Sequence, residues 1–387
     1  MAEAVLAREA GTACGRRLGI ATLNAPATLN ALSLAMVDAL QTQLTQWAND
    51  PELVAVVLDG EGEKAFCAGG DLRDLYQSIR DGGDAPNAYA RQFFSREYRL
   101  DYLIHTYPKP LLCWGNGIVM GGGLGLMAGA SHRVVTDSTR VAMPEIAIGL
   151  FPDVGGSWFL NRMPARTGLF LALTGAPLNA ADALFAGLAD FRLPQATRGA
   201  LLESMMRARW HGEAAADAAL LSRLVHALVS QGEVSATRDA AADAMVAPGT
   251  AQPSNLLKHH DEIQALIGHD TLADTAARLE RATGTDSWLG KAAANFRKGS
   301  PTSATLAWSL LKRARHLSLR EVFQMELDAA VGCCAHHDFA EGIRALLIDK
   351  DRKPRWQPAR LQDVGEALIA DHFKPRYAGA NPLADLR

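Results

Sequence analysis

The sequence predicts an α/β fold in its first half and a mainly helical second half. Strand-like runs alternate with helical patterns up to about residue 195, strand-like runs then disappear, and alanine becomes dense over 198–294. The 387-residue chain is also longer than the roughly 250 to 300 residues that one hydrophobic core usually fills. We therefore expect a core over 1–195, a helical insertion over 196–295 and a C-terminal helical region over 296–387.

The first half supplies the strands of this fold. Arg17 to Asn24 and Leu53 to Asp59 are predicted strands, and Leu32 to Trp47 between them carries apolar side chains at helical spacing, with Ser33 as a plausible N-cap. The predicted elements that follow are a helix over 88–105, a strand over 110–114, a helix over 121–128 and a strand over 133–136. Such alternation is typical of α/β proteins.

The second half lacks strand patterns. Residues 198–294 predict successive amphipathic helices, with a turn at Gly249 to Pro253. Two further helices are predicted over Thr302 to Ala314 and Leu319 to Cys334. These helices form the predicted insertion and C-terminal region.

Composition argues against several classes of partner. Lys and Arg number 39 against 42 for Asp and Glu, so there is no strong basic field for a nucleic acid or an anionic membrane. The five cysteines are an odd number without a C-x-x-C pair, which argues against a disulfide framework and a structural zinc site. The sequence has neither a secretory signal pattern nor a long uncharged apolar stretch. We expect a soluble cytoplasmic protein.

Two glycine-rich segments each follow a predicted strand and precede a helix. Lys64 to Leu75 has the sequence KAFCAGGDLRDL, and Asn116 to Gly129 has NGIVMGGGLGLMAG. Adjacent glycines at such turns let backbone N–H groups approach a ligand, although a tight turn or close helix packing explains each segment alone. Together the two turns can supply one N–H each to a single oxygen, which is an oxyanion hole for a thioester carbonyl.

The second segment also allows a dinucleotide-binding turn. Gly123, Gly125 and Ala128 match a G-x-G-x-x-A pattern, with Asp137 as the acidic residue. The acidic residue follows after about a dozen positions, whereas roughly 20 is usual. This alternative is therefore weakly supported.

Two carboxylates lie in an apolar stretch bounded by glycine and proline. Glu145 and Asp153 belong to the sequence AMPEIAIGLFPDVGGSW. Apolar surroundings raise the pKa of a carboxyl group toward the range useful for a general base or nucleophile, although either acid could instead cap a helix or form a turn. A G-x-S-x-G elbow and H-E-x-x-H spacing are both absent, so we expect neither a serine hydrolase nor a metal site.

In this order, the three segments resemble the crotonase (enoyl-CoA hydratase/isomerase) superfamily over nearly all of the first half. The resemblance implies a spiral of ββα repeats covered by C-terminal helices. It implies that the N–H groups of Gly70 and Gly122 form the oxyanion hole and that Asp71 braces the first turn. The other residues that it implies to bind the substrate or its CoA part are Cys67, Ala68, Gly69 and Gly121.

The carboxylates distinguish the branches of this superfamily. Its hydratases carry one glutamate two residues beyond the GGG, where this chain has Gly125, and a second one at the position of Glu145. The stretch PEIAIGLFPDVGG, with Asp153 in place of a small residue, resembles the branch that hydrolyses 3-hydroxyisobutyryl-CoA in valine catabolism. Ser300 to Ser303 and His337 to Trp356 resemble that branch too.

This resemblance implies a thioester hydrolase in which Glu145 attacks the carbonyl or activates water, and Asp153 holds the 3-hydroxyl group or orients the water. The segment LNAPATLNAL after the first predicted strand has Ala25 and Ala27 where family members commonly carry basic residues, so Arg344 or Lys350 is expected to contact the CoA phosphates. CoA is part of the substrate, and no cofactor or metal is expected. The alternatives are an enoyl-CoA hydratase or isomerase and a non-catalytic acyl-CoA binding protein; a homo-oligomer is compatible with the family.

Overall fold

Two sheets form the centre of the protein in the computed structural model, which describes residues 3–82, 87–242, 252–268, 271–282 and 288–387, with the backbone alone over 230–242. The strands in these residues are β1 (Val5–Gly11), β2 (Arg17–Leu23), β3 (Leu53–Gly60), β4 (Ala65–Cys67), β5 (Leu111–Gly115), β6 (Ile118–Met120), β7 (His132–Val135), β8 (Arg140–Ala142) and β9 (Phe191–Arg192). The large sheet has the order β1–β2–β3–β5–β7–β9, and the small sheet has the order β4–β6–β8.

The helices surround these sheets. They are α1 (Leu34–Asn49), α2 (Leu72–Gly82), α3 (Ala88–His105), α4 (Gly122–Ala128), α5 (Gly156–Phe159), α6 (Thr167–Thr174), α7 (Ala180–Phe185), α8 (Arg198–Arg207), α9 (Ala214–Ala242), α10 (Asn255–Lys258), α11 (His260–Leu266), α12 (Leu272–Arg281), α13 (Trp288–Lys298), α14 (Pro301–Ala314), α15 (Leu319–Cys334), α16 (His337–Ile343) and α17 (Glu366–His372). A 3₁₀ turn covers Glu145–Ala147 and a π-helical turn covers Arg344–Ile348.

The chain moves repeatedly from the large sheet to the small one. β3, β5 and β7 are parallel neighbours in the large sheet, and each is followed by β4, β6 or β8, which are parallel neighbours in the small sheet. Helices α2 and α3 follow β4, and α4 follows β6. This ββα repeat confirms the predicted α/β class and spiral.

The large sheet is buried on both faces. Every residue of β3 is buried, as expected for a central parallel strand covered on both sides. On one face, Leu18, Ile20 and Trp114 pack in a cluster that includes Leu201 of α8 and Leu221 of α9. The opposite face belongs to the main core, which contains α1, α3, α4 and most of the C-terminal helices.

The local predictions agree well with the observed elements. Strands and helices occur where the alternating pattern placed them, and the Ser33 hydroxyl accepts a hydrogen bond from the Met36 amide at 3.2 Å, which caps α1. β1 was not predicted; it pairs antiparallel with β2 at the edge of the large sheet, and its side chains are mostly exposed. The exposed edge explains why its apolar pattern is weak.

The second half is helical as predicted. Helices α8 and α9 cover the outer face of the large sheet, whereas α10 to α13 pack near α6 and α7 on the side of the main core. The predicted turn at Gly249 to Pro253 lies largely outside the described residues. The three domain boundaries stay a prediction. Among the described helices, none combines the length and apolar character needed to cross a membrane.

Candidate active site

Three turns meet at one end of the small sheet. Because β4, β6 and β8 are parallel, with Cys67 opposite Val119 and Met120 opposite Ala142, their carboxyl ends lie side by side. The segments that leave these ends are the two glycine-rich turns and the segment that contains Glu145. The spiral therefore brings together segments that are far apart in the sequence.

The first turn contains Gly69 and Gly70. Gly69 has φ +107°, a conformation that disfavours other residues. Leu32 N–H donates to the Gly69 carbonyl and the Asp71 N–H donates to the Leu32 carbonyl, both at 2.8 Å. These bonds use the residues on both sides of Gly70, and the Gly70 N–H has no acceptor among the described residues.

The second turn contains Gly121 and Gly122, and it contacts both other turns. Gly121 has φ +49°, and a Cβ placed on it would lie 3.6 Å from the Gly69 Cα and 3.1 Å from Glu145 Oε1. Gly122 begins α4, so its N–H has no intrahelical acceptor. No other acceptor for it occurs in the described part of the chain. The two turns thus offer backbone donors at one place.

Glu145 begins the 3₁₀ turn and is buried, with 4% of its surface exposed. Its Oε2 atom has no hydrogen-bond partner in the described structure. Burial, helped by the nearby charges of Asp153 and Glu97, raises its pKa well above the ordinary value. Such a carboxyl group is a suitable proton acceptor or nucleophile.

Asp153 lies on the loop before α5 and is equally buried. The Tyr98 hydroxyl of α3 donates to its Oδ2 atom at 2.8 Å. Burial raises the pKa of Asp153 to about 6, while the bond from Tyr98 lowers it. A partner on α3 thus fixes the Asp153 side chain. An acid that served only to form a turn would not need such a partner.

The three turns and α3 enclose a cavity of about 520 Å³. Of the residues that the sequence predicted for the site, those that line it are Ala68, Gly69, Gly70, Asp71, Gly121, Gly122, Glu145 and Asp153. Phe93, Phe94, Met120 and Leu347 supply much of its apolar wall. The cavity therefore combines an apolar wall with convergent amides and carboxylates.

Cys67 differs from the expectation that it lines the passage for CoA. It is the last residue of β4, it is fully buried, and it is not one of the residues around the cavity. Its thiol hydrogen-bonds the Gly69 carbonyl at 3.8 Å, and burial raises its pKa to about 12. Because side chains alternate along a strand, Cys67 faces the core, so its contribution is to pack beneath the turn.

Arg344 also differs from its expected role in binding phosphate. Its guanidinium forms ion pairs with Glu341 at 2.8 Å, Asp349 at 2.5 Å and Asp351 at 2.9 Å. Three carboxylates thus already neutralise it, and it holds the π-helical turn whose Leu347 reaches the cavity. Lys350 is exposed and is not a cavity residue, so its phosphate contact stays a prediction.

Two residues around the cavity were missed from the sequence. Glu97 of α3 is 2% exposed, and burial together with Asp153 raises its pKa well above the ordinary value. A Cβ placed on Gly122 would lie 2.4 Å from Glu97 Oε1, so this carboxyl group stands beside the second turn. Arg73 is an exposed cation at the cavity. The DLRDL pattern after the first turn could have indicated Arg73, but α3 carries no local signal for Glu97.

A fourth buried acid supports the loop that carries Asp153. Glu326 of α15 accepts hydrogen bonds from the Gly155 and Ser157 amides, both at 2.8 Å. Burial raises its pKa to about 8, although these bonds act in the opposite direction. Glu326 therefore fixes the start of α5, directly after Asp153.

The dinucleotide-binding alternative does not fit this arrangement. A Cβ on Gly123 would lie 2.3 Å from the Cys67 carbonyl oxygen, so this glycine serves close packing of α4 against β4. Asp137 forms an ion pair with Arg192 on the surface. The glycines are thus explained by contacts between the two turns.

Solved structures share this architecture over nearly the whole chain. A carnitinyl-CoA dehydratase from Mycobacterium thermoresistibile is 35% identical with a TM-score of 0.79, and an enoyl-CoA hydratase from Rhodobacter sphaeroides is 36% identical with a TM-score of 0.78. Each comparison covers 96% of this chain and 97% of the other. The shared fold is therefore that of CoA-ester enzymes.

Curated relatives match the chain equally well. The mitochondrial 3-hydroxyisobutyryl-CoA hydrolases of Gallus gallus and Homo sapiens are each 36% identical to it, over 92% of this chain and 86% of theirs. These relatives are mitochondrial proteins, so the expected cytoplasmic location is contradicted. That expectation relied on cysteine spacing and on the absence of a signal pattern. Neither feature distinguishes the cytoplasm from the mitochondrion.

A family model confirms the relationship suggested by the three turns. The model described as Enoyl-CoA hydratase/isomerase matches residues 18–373, which include both sheets' parallel strands and nearly all of the covering helices. With the ββα spiral, the paired glycine turns and relatives of 36% identity, the chain belongs to the enoyl-CoA hydratase/isomerase family.

Proposed function

We propose that this protein hydrolyses 3-hydroxyisobutyryl-CoA to the free acid and CoA. The observation that carries the proposal is the meeting of two unpaired glycine amides with two buried carboxyl groups, Glu145 and Asp153, around one cavity. The names of the curated hydrolases supply the acyl group. The reaction requires only water besides the thioester, because CoA is part of the substrate.

The amides account for activation of the carbonyl group. With the thioester oxygen between the N–H groups of Gly70 and Gly122, negative charge that develops on it is stabilised by donors that need no reorganisation. Loss of one such donor typically costs about 100- to 1000-fold in rate. The apolar wall strengthens these interactions by excluding water.

Glu145 carries out the chemical step in one of two ways. It attacks the carbonyl carbon to form a mixed anhydride, which water then cleaves, or it takes a proton from a water that attacks directly. The proximity of its Oε1 atom to Gly121 of the second turn supports this role. In a single turnover in ¹⁸O-labelled water, label in Glu145 establishes the anhydride route with attack of water on the glutamyl carbonyl, because direct attack of water on the thioester leaves the glutamate oxygens unlabelled.

The remaining polar groups suit a hydroxylated acyl chain and its CoA. Asp153, held by Tyr98, and Glu97 are both available to bind the 3-hydroxyl group or to orient water. Arg73 is the cation at the cavity, so we assign the phosphate contact to it in place of Arg344. An exposed cation at the mouth can pair with phosphate without losing an existing ion pair.

A second candidate is hydration of an enoyl-CoA. The solved neighbours with hydratase and dehydratase titles favour it, and Glu97 supplies a second cavity carboxyl group beside Glu145. Gly125 argues against it, because the hydratase glutamate is missing there and the space is filled by Val154. The missing glutamate argues less strongly against hydration in the structure than in the sequence, because Glu97 supplies another acid at the cavity.

Thiol release from 3-hydroxyisobutyryl-CoA, with crotonyl-CoA absorbance followed in parallel, tests the proposal. Free CoA from the hydroxy ester and unchanged crotonyl absorbance support the hydrolase. Loss of crotonyl absorbance without thiol release would mean that the protein is a hydratase. Glu145→Gln should retain CoA-ester binding and lose turnover, whereas a non-catalytic binder would have no turnover to lose.

A further inference from the structure

A line of titratable side chains lies between α3 and α4. At intervals of four residues, each faces a glycine: Glu97 faces Gly122, Asp101 faces Gly125, and His105 faces Gly129. A Cβ placed on these glycines would lie 2.4 Å from Glu97 Oε1, 3.1 Å from Asp101 Oδ1 and 2.9 Å from the His105 ring. The glycines of α4 thus create the space that the three side chains of α3 occupy.

Two members of this line, Asp101 and His105, have unmet hydrogen-bonding capacity. Asp101 has no exposed surface, and neither of its carboxyl oxygens has a partner within the described residues. The Nε2 atom of His105 is also buried without a described partner. A buried polar group without a partner costs about 1–3 kcal/mol, so close packing alone would favour apolar side chains here. Protons or bridging waters are needed to satisfy these atoms.

The line connects two environments. Glu97 lines the cavity, Asp101 is fully buried, and His105 is half-buried at the end of α3. Four residues advance an α-helix by about 6 Å, so the full line spans about 12 Å. A water molecule can bridge each step of that length between polar side chains. The line therefore runs from the proposed reaction site to the end of α3, where His105 is partly exposed.

The proposed hydrolysis generates a proton in the cavity. Water adds to the acyl carbon and the C–S bond breaks; the proton that Glu145 takes from water goes to the departing sulfur, which leaves as the thiol. The other product is a carboxylic acid, which ionises at neutral pH. One proton per turnover must therefore leave the cavity.

We propose that Glu97, Asp101 and His105 carry this proton from the cavity to solvent through intervening water. The inference rests on the proposed function, since only hydrolysis releases the proton. The charged groups near the line are Glu97, Asp153 and Glu326 around Asp101, and Arg133 near His105. Burial, together with these acids, raises the pKa of Asp101, while burial and Arg133 lower that of His105 to about 4. The imidazole is thus neutral and can accept the proton transiently.

Single turnovers in weak buffer test the inference. A pH indicator reports the proton, and the loss of thioester absorbance reports cleavage. The variants are Asp101→Asn and His105→Gln, with Asp328→Asn as control, because Asp328 is a partly buried acid of α15 that hydrogen-bonds Tyr377. In the wild type and the control, both signals should coincide.

In the two relay variants, cleavage should persist while the proton signal lags behind it. Their kcat in weak buffer should fall by roughly 100-fold, the lower end of what a proton-transfer residue contributes, and added imidazole should restore it at unchanged KM. Coincident signals in variants that still cleave, or a loss that imidazole does not restore, would overturn the relay. Absence of cleavage by the wild type would instead overturn the proposed hydrolysis, and the relay with it.

Discussion

Gly125→Ala tests how tightly α4 packs against the loop that carries Asp153. A Cβ on Gly125 would lie 2.6 Å from the Val154 Cβ and 2.9 Å from its Cγ2, whereas carbon atoms prefer roughly 3.5 to 4.0 Å. Val154 has φ +52°, which is already unfavourable for a β-branched residue. The loop therefore has little freedom to move away from the added methyl group.

The expected magnitude follows from two opposing effects. Overpacking of a core costs about 1–3 kcal/mol, and the strained neighbour places this site at the upper end, near 3. Alanine in place of glycine in a helix gains up to about 1 kcal/mol. The free energy of unfolding should therefore fall by roughly 2 kcal/mol. Because Val154 follows Asp153, displacement of the loop by about 1 Å should also lower kcat by about 100-fold.

Denaturant unfolding of Gly125→Ala and Gly199→Ala measures this effect. Gly199 is an exposed residue of α8 with no atom within 4 Å of its added Cβ. Its alanine variant therefore shows only the stability that alanine gains over glycine in a helix. The two variants should differ by about 3 kcal/mol. Val154→Gly removes the clashing side chain, so combining it with Gly125→Ala should recover much of the loss. Equal stability of the two alanine variants, or no coupling with Val154→Gly, would refute the packing argument.

Three further results are expected. Tyr98→Phe removes the 2.8 Å hydrogen bond to Asp153. Because a hydrogen bond to a charged group contributes about 1.5–3 kcal/mol to stability, the free energy of unfolding should fall by about that amount, and kcat should fall about 10- to 100-fold because Asp153 is no longer held; an unchanged pH–rate profile would exclude this role. The pKa of Glu326 rises from 4.5 to about 8 on folding, so between these values the folded protein holds more protons than the unfolded chain. Thermal stability should therefore fall as pH rises through this range. A Glu326→Gln variant whose stability declines equally steeply would contradict this assignment. Arg73→Gln should raise KM for CoA esters by about tenfold with kcat unchanged. Arg344→Gln should mainly lower stability, because it breaks the ion pairs of Arg344. The reverse pattern would mean that Arg344 contacts the phosphates.

Local patterns in the sequence were sufficient for the framework. Strand and helix periodicity identified the central strands of the large sheet and the helices between them, but not the short strands β4, β6 and β8. The glycine pairs after β4 and β6 indicated turns with accessible amides. Glu145 and Asp153 stood out because acids are unexpected in an apolar stretch. Each of these signals lies within one short segment, which is why they could be recognised without the fold.

The tertiary structure decided which side chains meet. Glu97 and Asp101 follow an ordinary amphipathic helical pattern. Only the packing of α3 against the glycines of α4 makes Glu97 a buried acid at the cavity and Asp101 a buried acid behind it. The surroundings of Arg344 and Cys67 could not be read from the sequence for the same reason: the carboxylates that pair with Arg344, and the core around Cys67, are set by the folded chain.

The sequence alone thus determined the order of the elements, the glycine turns and the two unusual acids, because each depends on backbone conformation and hydrophobicity within a few residues. The fold determined the cavity and its additional acids, because burial and electrostatic interaction depend on distances between segments separated by tens to hundreds of residues. Parallel strands of the small sheet make this connection, since they bring three distant turns to one edge.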